Sequence, residues 1–232
     1  MPNVAERAGA ARLRVGGLQR WTSIDFPGRL AAVVFCQGCP WRCSYCQNPQ
    51  LLDARAAPQL AWEEVFDFLR GRRGLLDGVV FSGGEPLLQA ALPAAIAEVR
   101  ALGFEVALHT SGMYPERLRE VLPWVDWIGL DIKAPWHRLD VVTASRDSAS
   151  RVLDSLLQVL VSGVALECRT TWSPELFPLE ELHALSEELA GLGVRRWCLQ
   201  QCRGGTLPQA APWRGDLALF GQRFDEFEFR AA

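Results

Sequence analysis

Cys39-Pro40-Trp41-Arg42-Cys43-Ser44-Tyr45-Cys46 decides how this chain is read. It sets three thiols at spacings of four and three, with an aromatic residue just before the last. It follows closely on an apolar run, Leu30–Phe35, that reads as a buried strand. Three soft sulfur ligands on one short loop suit an iron–sulfur cluster. A cubane cluster has four irons, so three cysteines leave one iron without a protein ligand. An open metal position is where chemistry happens.

Other readings of the loop stay open at this level. Cys36 stands three before Cys39, which makes two CxxC pairs, Cys36/Cys39 and Cys43/Cys46. That is a zinc-like set of four, but structural zinc sites usually take their pairs from separate segments. A thioredoxin-like redox pair needs only one CxxC, at the start of a helix. Cys168, Cys198 and Cys202 read as small buried hydrophobes. A second cluster from those three lacks a compact ligand run.

Composition narrows the class. The chain has 232 residues, enough for one domain with a sizeable core, and 49% of it is hydrophobic. No apolar run reaches the length of a membrane span. The stretch MPNVAERAGAARLR has no apolar signal core. Net charge is −3, and no basic stripe interleaved with aromatics occurs, so neither nucleic acid nor membrane is indicated as a partner. Seven cysteines in such a chain fit a reducing compartment, the cytoplasm, better than a disulfide framework. Of the 24 basic residues, only Lys133 is a lysine. Arginine is bulkier, planar and effectively never neutral, so a site that needs a compact ammonium cannot accept it. Lys133 therefore reads as functional, in Gly129-Leu130-Asp131-Ile132-Lys133.

Strand-like runs alternate with helical patterns. The strands are Leu30–Phe35, Gly78–Phe81, Glu105–Leu108, Trp127–Leu130, Leu166–Thr170 and Arg196–Leu199. Leu92, Ala95, Ile96, Val99 and Leu102 recur at helical spacing, as do Leu179, Leu182, Leu185, Leu189 and Leu192. Trp62–Leu69 and Val152–Leu160 mark two more helices. Six βα units imply an α/β fold with a parallel sheet, and right-handed crossovers curl it. Six are too few to close an eight-stranded barrel, so the expectation is an open partial (β/α)6 barrel. Residues 1–28 read as an N-terminal extension or small hairpin with a turn at Pro27-Gly28, and 29–232 as the barrel domain. Arg203–Asp216 reads as a loop before a final helix.

In such barrels, active-site groups sit at the C-terminal ends of the strands. The cysteine loop follows the first strand. Ser82-Gly83-Gly84-Glu85-Pro86 follows the second, His109-Thr110-Ser111-Gly112 the third, and Asp131-Ile132-Lys133 the fourth. Cys168-Arg169-Thr170-Thr171 ends the fifth and Gln200-Gln201 the sixth. Six polar ends at one rim argue for one large site. Gly83 and Gly84 let backbone approach a ligand closely, and Glu85 accepts from an ammonium. The same residues also suit an ordinary turn into a helix that starts at Pro86. Thr110 and Ser111 offer hydroxyls, Gln200 an amide, and Arg169 a cation for a carboxylate, or else a surface charge or structural ion pair. Tyr45 is placed to pack over a cluster or an adenine. His137 and His183 receive no role.

The order GGLQRWTSIDFPGRLAAVVFCQGCPWRCSYCQNP, GLLDGVVFSGGEPLLQ, LHTSG, WIGLDIKAP, ECRTTWSPEL and CLQQCR resembles the anaerobic ribonucleoside-triphosphate reductase activating proteins. These form part of the glycyl-radical activating branch of the radical S-adenosylmethionine (SAM) superfamily. The likeness runs from about Gly16 to Arg203. It implies a 4Fe–4S cluster on Cys39, Cys43 and Cys46, with SAM chelating the fourth iron. It implies SAM contacts from Tyr45, Gly83, Gly84, Glu85, Thr110, Ser111, Asp131, Lys133, Arg169 and Gln200. The implied reaction is reductive cleavage of SAM, then hydrogen abstraction from a glycine of an anaerobic ribonucleotide reductase. A reduced electron-donor protein is implied as a second partner. In some activators the third strand ends in Asp-Thr-Asn-Gly, whose Asp helps to hold a monovalent cation. Here His109 stands in its place, which suggests an imidazolium paired with Asp131, or a water network, instead. A small-molecule enzyme similar to 7-carboxy-7-deazaguanine synthase, and a non-catalytic metal protein, are the alternatives.

Overall fold

The computed structural model describes residues 9–203 and 210–231. The fold is α/β, and the strands run through the sheet in sequence order, β1 to β8. The chain divides into two compact units.

The first unit takes in the chain up to Pro40, Asn48–Thr110 and Tyr114–Ile128. It holds β1 (Val15–Thr22), β2 (Ala31–Cys36), β3 (Gly78–Gly83) and β4 (Glu105–Thr110). β2, β3 and β4 are parallel, with Val33 opposite Val80 and Val80 opposite Ala107. Both faces of these strands are covered, which is why they read as continuous apolar runs. Val33, Val80 and Ala107 pack with Phe26 and Trp127, while Val34, Val79, Phe81 and Leu108 are buried on the other face. Burying each such side chain is worth about 1.5–3 kcal/mol.

The segment expected as an extension or small hairpin contributes β1 to the sheet. β1 pairs antiparallel with β2. The chain reverses where Arg29 N–H donates to Phe26 O at 3.0 Å, with Gly28 at φ +70°. Residues 1–8 of the expected extension lie outside the described residues.

Helices α1 (Trp62–Arg70), α2 (Leu92–Ala101) and α3 (Pro115–Val121) complete this unit. α1 buries Trp62, Val65 and Leu69, an i, i+3, i+7 stripe, and carries Glu63 and Glu64 in its first turn. The Trp62 indole donates to buried Glu98 of α2 at 2.6 Å. α3 was not read from the sequence. It has only seven residues, and its local signals are slight: Pro115 at its start, Glu116 in the first turn and Arg119 in the last.

The second unit holds Trp41–Gln47, Ser111–Met113 and the chain from Gly129. β5 (Trp127–Asp131) begins in the first unit and ends here. Then follow α4 (Leu139–Thr143), α5 (Ser148–Ser162), β6 (Ala165–Trp172), α6 (Leu179–Gly191), β7 (Arg196–Gln201), α7 (Arg214–Arg223) and β8 (Glu226–Arg230). β6, β7 and β8 are parallel. Trp197 is fully buried, with the rings of Phe220, Phe224 and Phe227 at 5.2–5.5 Å. Its indole donates to Thr170 Oγ1 at 3.0 Å.

Two sequence expectations change here. Arg214–Asp216 are helical, not loop: Asp216 N–H donates to Trp213 O, and the Asp216 carboxylate accepts from Trp213 N–H at 3.1 Å. Residues 204–209 of that expected loop lie outside the described residues. The chain also does not end in a helix, because Glu226–Arg230 adds a strand whose Glu-Phe-Glu-Phe alternation carried the signal. Among the described residues no helix is long and apolar enough to cross a membrane.

Cys36, Cys168 and Cys198 sit within strands and are fully buried. Burial pushes all three thiols up, Cys198 to about 12, where Glu167 and Glu228 add to the rise and Arg230 and Arg169 oppose it. In the unfolded chain a thiol ionises near 9, so above that pH the unfolded state binds fewer protons than the folded one. Stability from this source is complete below about pH 9 and is lost as pH rises toward about 12. Thermal unfolding should show the melting temperature falling across this window. Cys198→Ala should flatten the fall; an unchanged slope would contradict this account.

Candidate cofactor site

The root of the cysteine loop is built in the first unit. The chain leaves β2 through Gln37 and Gly38, the latter at φ +97°. Gly84 N–H donates to Cys36 O at 2.9 Å, and Glu85 N–H donates to Gly38 O at 2.8 Å. A Cβ on Gly84 would lie 2.2 Å from Gly38 O, and one on Gly83 would lie 2.4 Å from Cys36 N. The two glycines therefore let the turn after β3 lie against the loop root. The close approach expected of them is made to the protein's own backbone.

Glu85 is fully buried and accepts from Leu87 N–H at 2.9 Å and from the Thr110 hydroxyl at 2.7 Å. Thr110 closes β4, so the ends of β3 and β4 meet at this carboxylate. His109, the preceding residue, has its Nδ1 3.3 Å from Ser82 Oγ and its Nε2 2.8 Å from Asp25 O, with its ring edge-on to Trp127. Its ring nitrogens thus face Ser82 and the N-terminal turn, while Asp131 takes up Lys133.

Two glutamines that the sequence reading passed over fasten the root. Gln89 Nε2 donates to Arg14 O at 2.9 Å and Gln37 O at 3.1 Å, and Gln89 Oε1 accepts from Arg14 N–H at 2.7 Å. Gln37 Nε2 donates to Gln50 O and Asp53 O. Each bond joins segments far apart in sequence, so no local pattern announces it.

The second unit holds the rest of the loop. Arg42 N–H donates to Thr143 O at 2.9 Å, which anchors the loop on α4, and Cys46 N–H donates to Cys43 O at 3.1 Å. Trp41 and Tyr45 are buried, whereas Cys43 and Cys46 are half-buried. Lys133 Nζ stands 2.9 Å from Asp131 Oδ2 and 5.9 Å from the Tyr45 ring centroid. Burial pulls the ammonium down, but Asp131, with Tyr45 and Cys43, more than offsets it, so Lys133 is held charged. Burial pushes the Cys43 thiol up, and the Lys133 charge opposes that rise.

Ser111 Oγ accepts from Met113 N–H at 3.4 Å, and Gly112 O accepts from Ser155 Oγ at 2.6 Å. Arg169 is buried and donates to Glu167 at 2.8 Å, an internal ion pair. Gln200 Oε1 accepts from Thr171 Oγ1 at 3.3 Å. The expected residues thus fall into two sets. Gly83, Gly84, Glu85 and Thr110 gather at the loop root, and Tyr45, Cys43, Asp131 and Lys133 gather on the loop and at the end of β5.

Residues 33–166, more than half of the chain, match the sequence profile of the Radical SAM superfamily. The matched span contains the cysteine loop, the Gly83-Gly84-Glu85 turn and Asp131–Lys133.

This chain belongs to the radical SAM superfamily.

Membership brings two cofactors, a 4Fe–4S cluster and SAM. The donors suit a thiolate-ligated cluster. Cys39, Cys43 and Cys46 are half-buried on an irregular loop, while the other four cysteines are buried. Among the described residues no three His, Cys, Asp or Glu side chains stand as a metal-holding group, so the fit rests on the chemistry of the loop.

A protein of Methanocaldococcus jannaschii named for glycyl-radical-enzyme activation is 29% identical over 184 residues, covering 75% of this chain and 74% of that one. A pyruvate formate-lyase-activating enzyme of Clostridium pasteurianum is 35% identical over 52% of each chain. A 7-carboxy-7-deazaguanine synthase of Thermococcus kodakarensis is 31% identical over 46% of this chain and 50% of its own. QueE from Escherichia coli superposes with a TM-score of 0.59 at 15% identity over the whole of both chains. Streptococcus suis SuiB bound to SAM gives 0.65 at 11% identity, over 84% of this chain and 48% of SuiB. This radical SAM chain thus spans about half the length of the C. pasteurianum enzyme and of SuiB. The structural likenesses bear on the fold alone, an open partial barrel.

Proposed function

We propose that this radical SAM protein is a cytoplasmic activating enzyme that generates a glycyl radical on a partner protein, an anaerobic ribonucleotide reductase. The observation that carries the reading is the M. jannaschii relative, aligned over about three-quarters of both chains. The deazaguanine synthase relative aligns over less than half of this chain, which ranks a small-molecule substrate second.

Cys39, Cys43 and Cys46 are the residues that would hold the cluster, and a reduced donor protein would be the source of the electron. When bound, the two cofactors supply one electron and the 5′-deoxyadenosyl radical that takes a hydrogen atom from the partner's glycine. Lys133, kept charged by Asp131, offers a compact cation for the carboxylate of SAM. Glu85, fixed by Leu87 N–H and Thr110, offers a carboxylate for its amine. Gly83 and Gly84 keep the turn that bears Glu85 against the loop root. Tyr45 would pack against the cluster or an adenine, and Ser111, Arg169 and Gln200 are the further candidate contacts for SAM.

Anaerobic incubation of the reduced protein with SAM and a candidate reductase tests this. A glycyl-radical doublet in electron paramagnetic resonance is the expected result. SAM cleavage that yields a deazapurine product, with no doublet, would favour the second reading. Lys133→Arg and Glu85→Gln should keep full iron while 5′-deoxyadenosine forms at least about tenfold more slowly, or about 1.4 kcal/mol of lost transition-state stabilisation. Parent rates in both variants would remove these two assignments.

A further inference from the structure

The cysteine loop carries two buried donors with nothing among the described residues to receive them. Among the described residues Trp41 Nε1 and Tyr45 Oη have no hydrogen-bond partner, and Trp41 and Tyr45 are 2% and 4% exposed. Buried polar groups are partnered in roughly nine of ten cases. An orphaned one costs about 1–3 kcal/mol. An indole N–H can only donate, and a neutral phenol donates one hydrogen. The loop backbone around them is fixed, by Arg42 N–H on Thr143 O and Cys46 N–H on Cys43 O. The orphans are therefore not the product of a loosely tethered loop.

Their place in the chain narrows what they await. Trp41 lies two residues before Cys43, and Tyr45 lies between Cys43 and Cys46. All four belong to one compact unit. Within that unit Asp131 is paired with Lys133 and Glu167 with Arg169, and neither is a partner of Trp41 or Tyr45. The acceptors that the loop itself gains on loading are sulfurs. Resting on the assignment of the cluster to Cys39, Cys43 and Cys46, we propose that Trp41 Nε1–H and Tyr45 Oη–H donate hydrogen bonds to the sulfur atoms of the cluster and raise its reduction potential. Reduction adds negative charge to the sulfurs, so a donor there stabilises the reduced form more than the oxidised form.

Trp41→Phe and Tyr45→Phe remove the donors and keep aromatic rings. Each variant is reconstituted anaerobically, its iron and sulfide are measured, and its cluster is titrated by electron paramagnetic resonance with and without SAM. We expect full iron. At a fixed potential, the reduced-to-oxidised ratio of the double variant should fall about tenfold, a shift of about 59 mV to more negative values for one electron. The shift should appear without SAM. Cluster-free Tyr45→Phe should melt no lower than the parent, because its hydroxyl has no protein partner to lose; that arm stands even if Trp41→Phe fails to fold. Full iron with an unchanged potential would overturn the proposal. A shift seen only with SAM would also overturn it, as the donors would then serve that cofactor. A lower melting temperature for cluster-free Tyr45→Phe would do the same. Failure of the underlying cluster assignment shows separately, as iron retained when Cys39, Cys43 or Cys46 is replaced.

Discussion

Cys39→Ala, Cys43→Ala and Cys46→Ala are each expected to abolish cluster assembly, whereas Cys36→Ala should retain the parent's iron and sulfide. Cys36 ends β2, opposite Gly83, with its side chain fully buried. Burial, with Glu85 nearby, pushes its thiol far up, so it stays protonated. A protonated thiol is not a metal ligand, because the thiolate is the binding form. Cys39, Cys43 and Cys46 are half-buried on an irregular loop and can turn toward a cluster. Losing one of three thiolates leaves two irons without protein ligands, which a reconstituted cubane does not survive. Iron and sulfide analysis of the four variants decides the matter. Iron lost from the Cys36 variant would restore the four-cysteine zinc-like alternative.

Gly84→Ala should lower stability by about 3 kcal/mol or more, among the larger effects for a single substitution. The added Cβ would meet Gly38 O at 2.2 Å and Leu51 O at 3.0 Å. Both are backbone atoms, so no side chain can swing aside. Relief requires moving Gly38, the residue before Cys39, and breaking the Glu85 N–H to Gly38 O bond. The melting temperature should therefore fall by about 6–12 °C, at about 2–4 °C per kcal/mol for a chain of this size. Reconstituted iron should fall with it. Gly191→Ala is the control. Gly191 closes α6, and a Cβ there meets nothing within 4 Å, so helix propensity should stabilise the protein by up to about 1 kcal/mol. Equal melting temperatures for the two variants would refute the steric account.

Much of the site was visible as residue types at strand ends. The runs ending at Phe35, Phe81, Leu108, Leu130, Thr170 and Leu199 are all strands, each continuing one or two residues further. Most of the extra residues are polar, such as Ser82, Thr110 and Gln200, which apolar periodicity cannot include. Roles within the site were less legible. Arg169 suits in sequence either a ligand carboxylate or a structural ion pair, and the fold pairs it with Glu167 two residues earlier on the same strand face. Glu85 suits in sequence either an ammonium or a turn into a helix, and its burial and its cap on the short turn after it are set by the fold. The elements missed, α3, α4 and β8, have seven, five and five residues. Signals that short are weaker than the packing that decides them.

What the sequence by itself determined is the class of chemistry and the order of the barrel units. Thiol spacing is covalent, and two-sided burial writes itself into a strand as an unbroken apolar run. The tertiary structure alone decided which acid meets which hydroxyl, as Glu85 meets Thr110 across 25 residues. It alone paired Gln89 with Arg14 across 75 residues and set Gly84 against Gly38. It alone buried Trp41 Nε1 and Tyr45 Oη without acceptors among the described residues. Hydrogen bonds and steric contacts are short-ranged and depend on which distant segments the folded chain brings within about 3 Å, a distance that no local pattern encodes.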